Sequence, residues 1–226
     1  MYRERPSRIR GGFVWSSIST GDLVRVLPDG CIDFLWDGAH ISIAGPDTHA
    51  QLFSSAAGTT MTGLRFAPGF APRLLGIPAS ELTDTRVPLD AVWAGADVDR
   101  LTDLVAGRAA PGVALEQIAL ERLPADDEDA QLTDRVVTFA RAGCNSTTIA
   151  DRVGLSTRQL QRRSTAAFGY GAKTLSRILR MQRALVLARR GERLADSASL
   201  VGYADQSHLA REVKEMAGVP ITELLR

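Results

Sequence analysis

A duplication between Asn145 and Arg226 constrains this chain more than any other feature. Ala150, Gly154 and Leu155 recur 48 residues later as Ala198, Gly202 and Tyr203. Leu160, Arg162 and Gly169 recur 49 residues later as Leu209, Arg211 and Gly218, so the second copy has one extra residue in its turn. Self-similarity at a fixed offset marks a repeated supersecondary unit.

Each copy reads as helix, tight turn, helix. In the first, Ile149, Ala150 and Val153 form a short apolar face and Gly154 supplies the turn. Ser156 is an N-cap for the next helix, because its hydroxyl can accept a free backbone N–H. Leu160 points that helix inward. In the second, Leu194, Ala198 and Val201 precede Gly202, and Asp205 caps the following helix. The alanine four residues before each glycine lets two helices cross closely. This is the plan of a helix-turn-helix, whose second helix enters the DNA major groove.

The strings IADRVGLSTRQLQRRSTAAFGYGAKTLSRILRMQRAL and LADSASLVGYADQSHLAREVKEMAGVP resemble the DNA-binding region of AraC/XylS-type transcription regulators. The resemblance covers about the last hundred residues. It implies two helix-turn-helix units on either side of a linking helix. It also implies base readers at Arg158, Gln161 and Arg162, then at Gln206, Ser207 and Arg211. The chemistry agrees, since arginine grips guanine O6 and N7 and glutamine grips adenine N6 and N7. Ser156, Thr157 and the helix N-termini suit phosphates. Arg163, Lys173 and His208 complete the DNA-facing set, Lys173 as a phosphate-facing or solvated charge and His208 as a packing or phosphate residue. The alternative for Arg162 and Arg211 is to brace the fold through carboxylates. The chain departs from the family pattern at Ser164 and Val213, where aromatics are usual. Ala172 replaces a proline, Ser197 an aliphatic, and Pro220 arrives one residue early.

The linking helix is expected from Ala172 to Arg190. About 19 residues at ~1.5 Å each span just under ~30 Å, against ~34 Å between successive major-groove faces. One chain could then read a bipartite site without dimerising; a homodimer is the other possibility.

Charge divides the same way. Residues 1–130 hold 11 Lys+Arg against 18 Asp+Glu, net −7; residues 131–226 hold 16 against 8, net +8. Only the C-terminal part is built to meet a polyanion such as double-stranded DNA. The acidic part could mask those arginines in one state. Lys173 and Lys214 are the only lysines there; the other cations are arginine, which suits bidentate contact. A coding bias toward arginine is the bland alternative.

The amino-terminal part reads as short strands between Gly12 and Phe66, then helices. GGFVWSSI, DLVRVLP, CIDFLW, HISIAG and TTMTGLRF are β-branched or aromatic and punctuated by turns. They suggest a small antiparallel sandwich or barrel. Helices are expected over 68–76 and 78–84, then over Ala96–Ala106 and Val113–Leu123. The acidic LPADDEDAQ marks a boundary, giving an α+β part over 1–124 and an all-α part with the two units over 125–226. LPDGCIDFLW, AGPDT, GLRFAPGFA and VPLDAVW resemble the domain beside this DNA-binding region in a bacterial subgroup of the family. That implies a sensor or dimerisation domain and assigns no ligand.

Trp15, Phe34, Trp36 and Phe66, with Phe53, fall in the strand region and could line a pocket for a small-molecule effector. Filling the core is the alternative. Catalytic signals are absent. The three histidines, His40, His49 and His208, show no metal-ligand spacing, even with Asp33 or Asp37 nearby. No Gly-rich phosphate loop or nucleophile elbow occurs, and no cofactor is implied. Cys31 is read as a small buried hydrophobe. Its alternative is an alkyl acceptor, which would make this part an enzyme. No apolar run reaches the ~20 residues of a membrane span, and the basic start MYRERPSRIRGG lacks the apolar core of a signal peptide. Two cysteines fit a reducing cytoplasm. The chain is therefore expected to be a cytoplasmic, sequence-specific transcription regulator and not an enzyme.

Overall fold

The computed structural model describes residues 1–124 and 128–225. The acidic residues 125–127 of the expected boundary lie outside the described residues. Buried apolar side chains form two clusters, one drawn from Ile9 to Ala119 and the other from Val136 to Ile221.

The first cluster lies under an antiparallel sheet. Strands β1 (Tyr2–Pro6), β2 (Phe13–Ile18), β4 (Ile32–Trp36), β5 (Ile41–Ala44), β7 (Thr60–Phe66) and β8 (Arg86–Pro88) pair in the order β1-β2-β7-β4-β5-β8. A separate two-stranded ribbon joins β3 (Val24–Val26) and β6 (Gln51–Phe53). The expected sandwich or barrel is thus one open sheet with a ribbon across part of it. Side chains alternate faces along a strand. Ile32, Phe34 and Trp36 are buried on one face, while Asp33 and Leu35 turn to the other. The buried face is covered by α1 (Ala71–Leu75), α2 (Gly95–Ala106) and α3 (Pro111–Glu121).

Gly76 ends α1 at φ +77°, and Pro111 opens α3. The helix expected over 78–84 is only a 3-10 turn at Ala79–Glu81. Strand β1 was not expected. Its sequence YRERP is wholly exposed, and charge with proline is how an edge strand resists further pairing. The strand is fixed from behind: Arg5 reaches the buried Glu116 on α3 at 2.8 Å, and the Arg8 N–H donates to the same carboxylate. Burial pushes Glu116 up, but Arg5, Ser7 and the Arg8 amide pull it down to about 2.

The second cluster is helical: α4 (Glu128–Arg141), α5 (Ser146–Val153), α6 (Thr157–Phe168), α7 (Ala172–Arg189), α8 (Leu194–Val201), α9 (Gln206–Ala217) and α10 (Ile221–Leu224). The repeat of the sequence is a repeat of structure. Glycines 154, 169, 202 and 218 end α5, α6, α8 and α9 in the left-handed region that glycine favours. Ser156 and Gln159 form a reciprocal capping box on α6, and Asp205 accepts the His208 N–H at the start of α9. Leu160 and Leu209 are the inward leucines. The linking helix α7 ends at Arg189, one residue earlier than expected. Ser164 and Ser197 are buried, and among the described residues their hydroxyls find no partner.

Candidate nucleic-acid interface and the cavity beside it

Helices α6 and α9 are the second helices of the two repeats, and each turns a polar side to solvent. Arg158, Gln161, Arg162 and Arg163 on α6 are exposed, as are Gln206, Ser207 and Arg211 on α9. Among the described residues, no carboxylate or carbonyl engages Arg158, Arg162 or Arg211. The bracing alternative for Arg162 and Arg211 therefore has no structural partner. Gln161 donates to Thr165 within its own helix. The Ser156 hydroxyl is engaged in the capping box, which leaves Thr157 and the free backbone donors of the first turn for phosphate. His208 is half-buried with its ring edge-on to Tyr203 at 5.1 Å, a packing position. Lys173 is exposed at the start of α7.

Between the two repeats α7 runs for 18 residues, about 27 Å at 1.5 Å per residue. A buried ionic cluster fixes α9 to it. Glu212 accepts from Arg177 at 3.0 Å, from Arg180 at 2.9 Å and from the Tyr203 hydroxyl at 2.7 Å. The Arg180 guanidinium also lies 4.2 Å from the Tyr203 ring centroid. Burial pushes Glu212 up, but these donors hold it below the usual carboxylate range. Sequence reasoning missed Glu212, although a signal was present. It lies in the inward stripe of Leu209, Val213 and Met216, where a charge requires a buried partner.

The amino-terminal part touches both repeats at their helix C-termini. The Thr83 hydroxyl donates to the Gly169 carbonyl just beyond α6. Arg25 on β3 donates to the Ala217 carbonyl of α9 at 2.8 Å, and the Ala50 N–H to Met216 O at 2.7 Å. A cation and two donors there satisfy free carbonyls and oppose the helix dipole. Further in, the Pro28 carbonyl accepts from Gln182 of α7, and Leu27 packs on the second cluster. Among the described residues, no acidic side chain of the first part pairs with Arg158, Arg162 or Arg211, all of which are exposed, so these residues show none of the masking expected from the charge split.

A cavity of about 310 Å³ lies between the open sheet face and the β3–β6 ribbon. The expected aromatic lining needs correction. Phe34, Trp36 and Phe66 are on the helix-covered face; Phe34 and Phe66 meet edge to face at 5.0 Å. The period-two alternation that buries them turns them away from the cavity. Trp15 and Phe53 do line it. Trp15 lies flat on β7, where a Cβ at Gly63 would collide with its ring, so only glycine fits. Its indole N–H donates to Asp33 at 2.7 Å. Arg65 Nε stands 3.4 Å from both Asp29 and Asp33, and Arg86 pairs bidentately with Asp47. Burial pushes the Asp33 carboxyl up against the pull of Arg65.

Cys31 also faces this cavity. Burial and the neighbouring Asp29 and Asp33 push its thiol up, which keeps it protonated, whereas an alkyl acceptor needs a thiolate. His40 and His49 each sit by one carboxylate, Asp37 and Asp84. Among the described residues, no group of three or more His, Cys, Asp or Glu is placed to hold a metal, and no helix is long and apolar enough to cross a membrane.

Comparison with known proteins agrees with the duplicated region. Residues 149–226 match the family described as helix-turn-helix domain, and residues 13–88 match a domain of unknown function (DUF6597). The HTH-type transcriptional regulator VirS of Mycobacterium tuberculosis, in strains CDC 1551 / Oshkosh and ATCC 25618 / H37Rv, is 30% identical over 188 residues, 78% of this chain. The chain spans about half the length of these relatives, 50%. Among solved structures, unsaturated-fatty-acid-bound ToxT from Vibrio cholerae strain SCE256 is similar at TM-score 0.49 and 13% identity, over 95% of this chain and 94% of that one. ToxT from strain O395 is similar at TM-score 0.46 and 13% identity, over 100% and 96%.

Proposed function

We propose, from the match of residues 149–226 to a helix-turn-helix domain, that the protein is a cytoplasmic AraC-type transcription regulator that reads two adjacent major-groove segments of double-stranded DNA. The observation that carries this reading is the pair of capped, exposed helices α6 and α9 in the two repeats that α7 joins, each presenting an arginine that has no internal partner among the described residues. Arg158, Gln161 and Arg162 read one block, and Gln206, Ser207 and Arg211 the other. Thr157, Arg163 and Lys173 contact phosphates, which position the protein without specifying sequence. A rigid α7 of roughly 27 Å sets two reading heads at a spacing near the ~34 Å groove repeat, so one chain suffices for a bipartite site.

We place the division between the parts at residues 124 and 125, and read the first as the input. Its cavity is the candidate effector site. The signal reaches the DNA-binding part through the way the two parts dock. The ribbon that roofs the cavity also caps α9 through Arg25, since Val24 and Val26 face the cavity and Arg25 leaves from the opposite side.

The test is selection from a random DNA pool by the full-length protein at physiological salt, followed by sequencing. The expected result is a motif of two blocks about one helical turn apart, ~10 base pairs. A single enriched block would remove two-groove readout, and absence of enrichment, with residues 125–226 as well as with the full chain, would remove sequence-specific binding.

A further inference from the structure

We propose that the cavity between the sheet and the β3–β6 ribbon binds an amphipathic organic cation, an amine whose ammonium group sits beside Asp29 and Asp33 over the Trp15 ring and whose apolar body lies against Leu35 and Met61. This deepens the reading of the first part as an input and rests on it.

Three observations converge on a cation. The first is charge. Asp22, Asp29, Asp33 and Asp47 line the cavity against two guanidiniums, Arg65 and Arg86. Arg86 is matched by Asp47 in a bidentate pair. Arg65 is shared between Asp29 and Asp33, so among the described residues this end of the cavity keeps one carboxylate charge without a counterion. A carboxylate withdrawn from water is costly until a cation joins it, and the upward push that burial gives Asp33 is the sign of that cost.

The second is the aromatic floor. The Trp15 ring lies on the sheet over Gly63 and is tied by its N–H to Asp33, so face and carboxylate are fixed relative to each other. Tyr2 stacks beside it at 6.1 Å. Among the described residues no cation occupies the Trp15 face, whereas the Phe53 ring already carries Arg86 at 5.1 Å. A tryptophan face next to an anion is the arrangement that attracts ammonium groups.

The third is size and shape. About 310 Å³ is at the small end for an organic ligand site. The walls are mostly apolar, from Leu35 and Met61 on the sheet to Val24 and Val26 on the ribbon. A small inorganic ion would leave that wall unfilled.

The test uses the full-length chain and three probes of one shape: 4-phenylbutylamine, 4-phenylbutan-1-ol and 4-phenylbutanoate. Binding is followed by calorimetry. The amine is expected to bind about tenfold more tightly than the alcohol, the sum of an ion pair and a cation–π contact at a partly desolvated site, and the carboxylate more weakly than both. Asp33→Asn should bring the amine to the level of the alcohol. Asp29→Asn offers the same readout if Asp33→Asn fails to fold, and Trp15→Leu should weaken the amine more than the alcohol. Tighter binding of 4-phenylbutanoate would mean that Arg65 governs the site and would overturn the cation assignment. Equal binding of amine and alcohol, indifference of the amine to these variants, or no binding of any probe would overturn it as well. The input reading is tested separately by DNA affinity: if the amine binds as expected but leaves DNA affinity unchanged, the site stands and its regulatory role falls.

Discussion

The two reading units share a plan and differ in how they are held. Both have an N-capped second helix, an inward leucine and a glycine stop at matching places. The first, α5–α6, rests on apolar contacts, with Leu155 and Phe168 packed into the second cluster. The second, α8–α9, has Tyr203 where the first has Leu155 and Glu212 where the first has Arg163, and these build the ionic brace to α7. The turn and cap positions set the path of the backbone. The positions between them decide whether the unit is fixed by apolar packing or by a buried charge. A buried ionic brace is strong when whole and costly when broken. The second unit is therefore the more sensitive to a single change, and it is also the one tied to the cavity's ribbon.

The sharpest way to break the comparison is Glu212→Ala. It strands Arg180, leaves Arg177 with Glu215 alone and frees the Tyr203 hydroxyl, at an expected cost of about 3 kcal/mol, read by chemical denaturation. The matching change in the first unit, Arg163→Ala at an exposed site, should cost under ~0.5 kcal/mol. Acid should act in the same direction. Because the folded Glu212 is held below its ordinary 4.5, its contribution is present above that pH and lost as pH falls through the folded value. Hydrogen exchange between pH 6 and 3 should therefore show α9 loosening before α6; simultaneous loosening would contradict the difference in bracing.

Next come the readers. Arg162→Ala and Arg211→Ala should each lower affinity for DNA by about 1–3 kcal/mol, each through a different block. Melting temperature should stay unchanged, since neither arginine supports the fold. Loss at both blocks from one substitution would mean that the units do not read separately.

A smaller effect is expected at the docking contacts. Arg25→Ala removes a charged donor from the end of α9 at a cost of about 1–2 kcal/mol, and Thr83→Val a neutral one from the end of α6 at about 1 kcal/mol. Amide exchange near Met216 should rise in the first variant and near Phe168 in the second. If Arg25→Ala disturbed α6 instead, the ribbon would not be the route to the second unit.

The smallest change is a gain. Ser164→Ala and Ser197→Ala each remove a buried hydroxyl that has no partner among the described residues, one in each unit, and should stabilise by about 0.5–1 kcal/mol. A loss in thermal denaturation would show that those hydroxyls are satisfied after all.

The sequence by itself determined the duplicated units. Glycine stops, Ser156 and Asp205 caps and inward leucines are local signals whose physics acts within a few residues, and the linking helix ends one residue from where the sequence puts it. The strands with β-branched and aromatic runs were legible for the same reason. What tertiary structure decided was partnership across distance. The pairing of β1 depends on Arg5 meeting Glu116, 111 residues away. Which aromatic faces the cavity depends on which side of β4 the helices cover, and alternation alone gives two equivalent choices. Trp15 can lie flat only because Gly63 of another strand is beneath it. Glu212 could be marked as a misplaced charge, but Arg177, Arg180 and Tyr203 became its partners only when α7 and α9 crossed. Local signals choose elements, whereas burial of charge and the sidedness of a sheet are settled only once the elements pack.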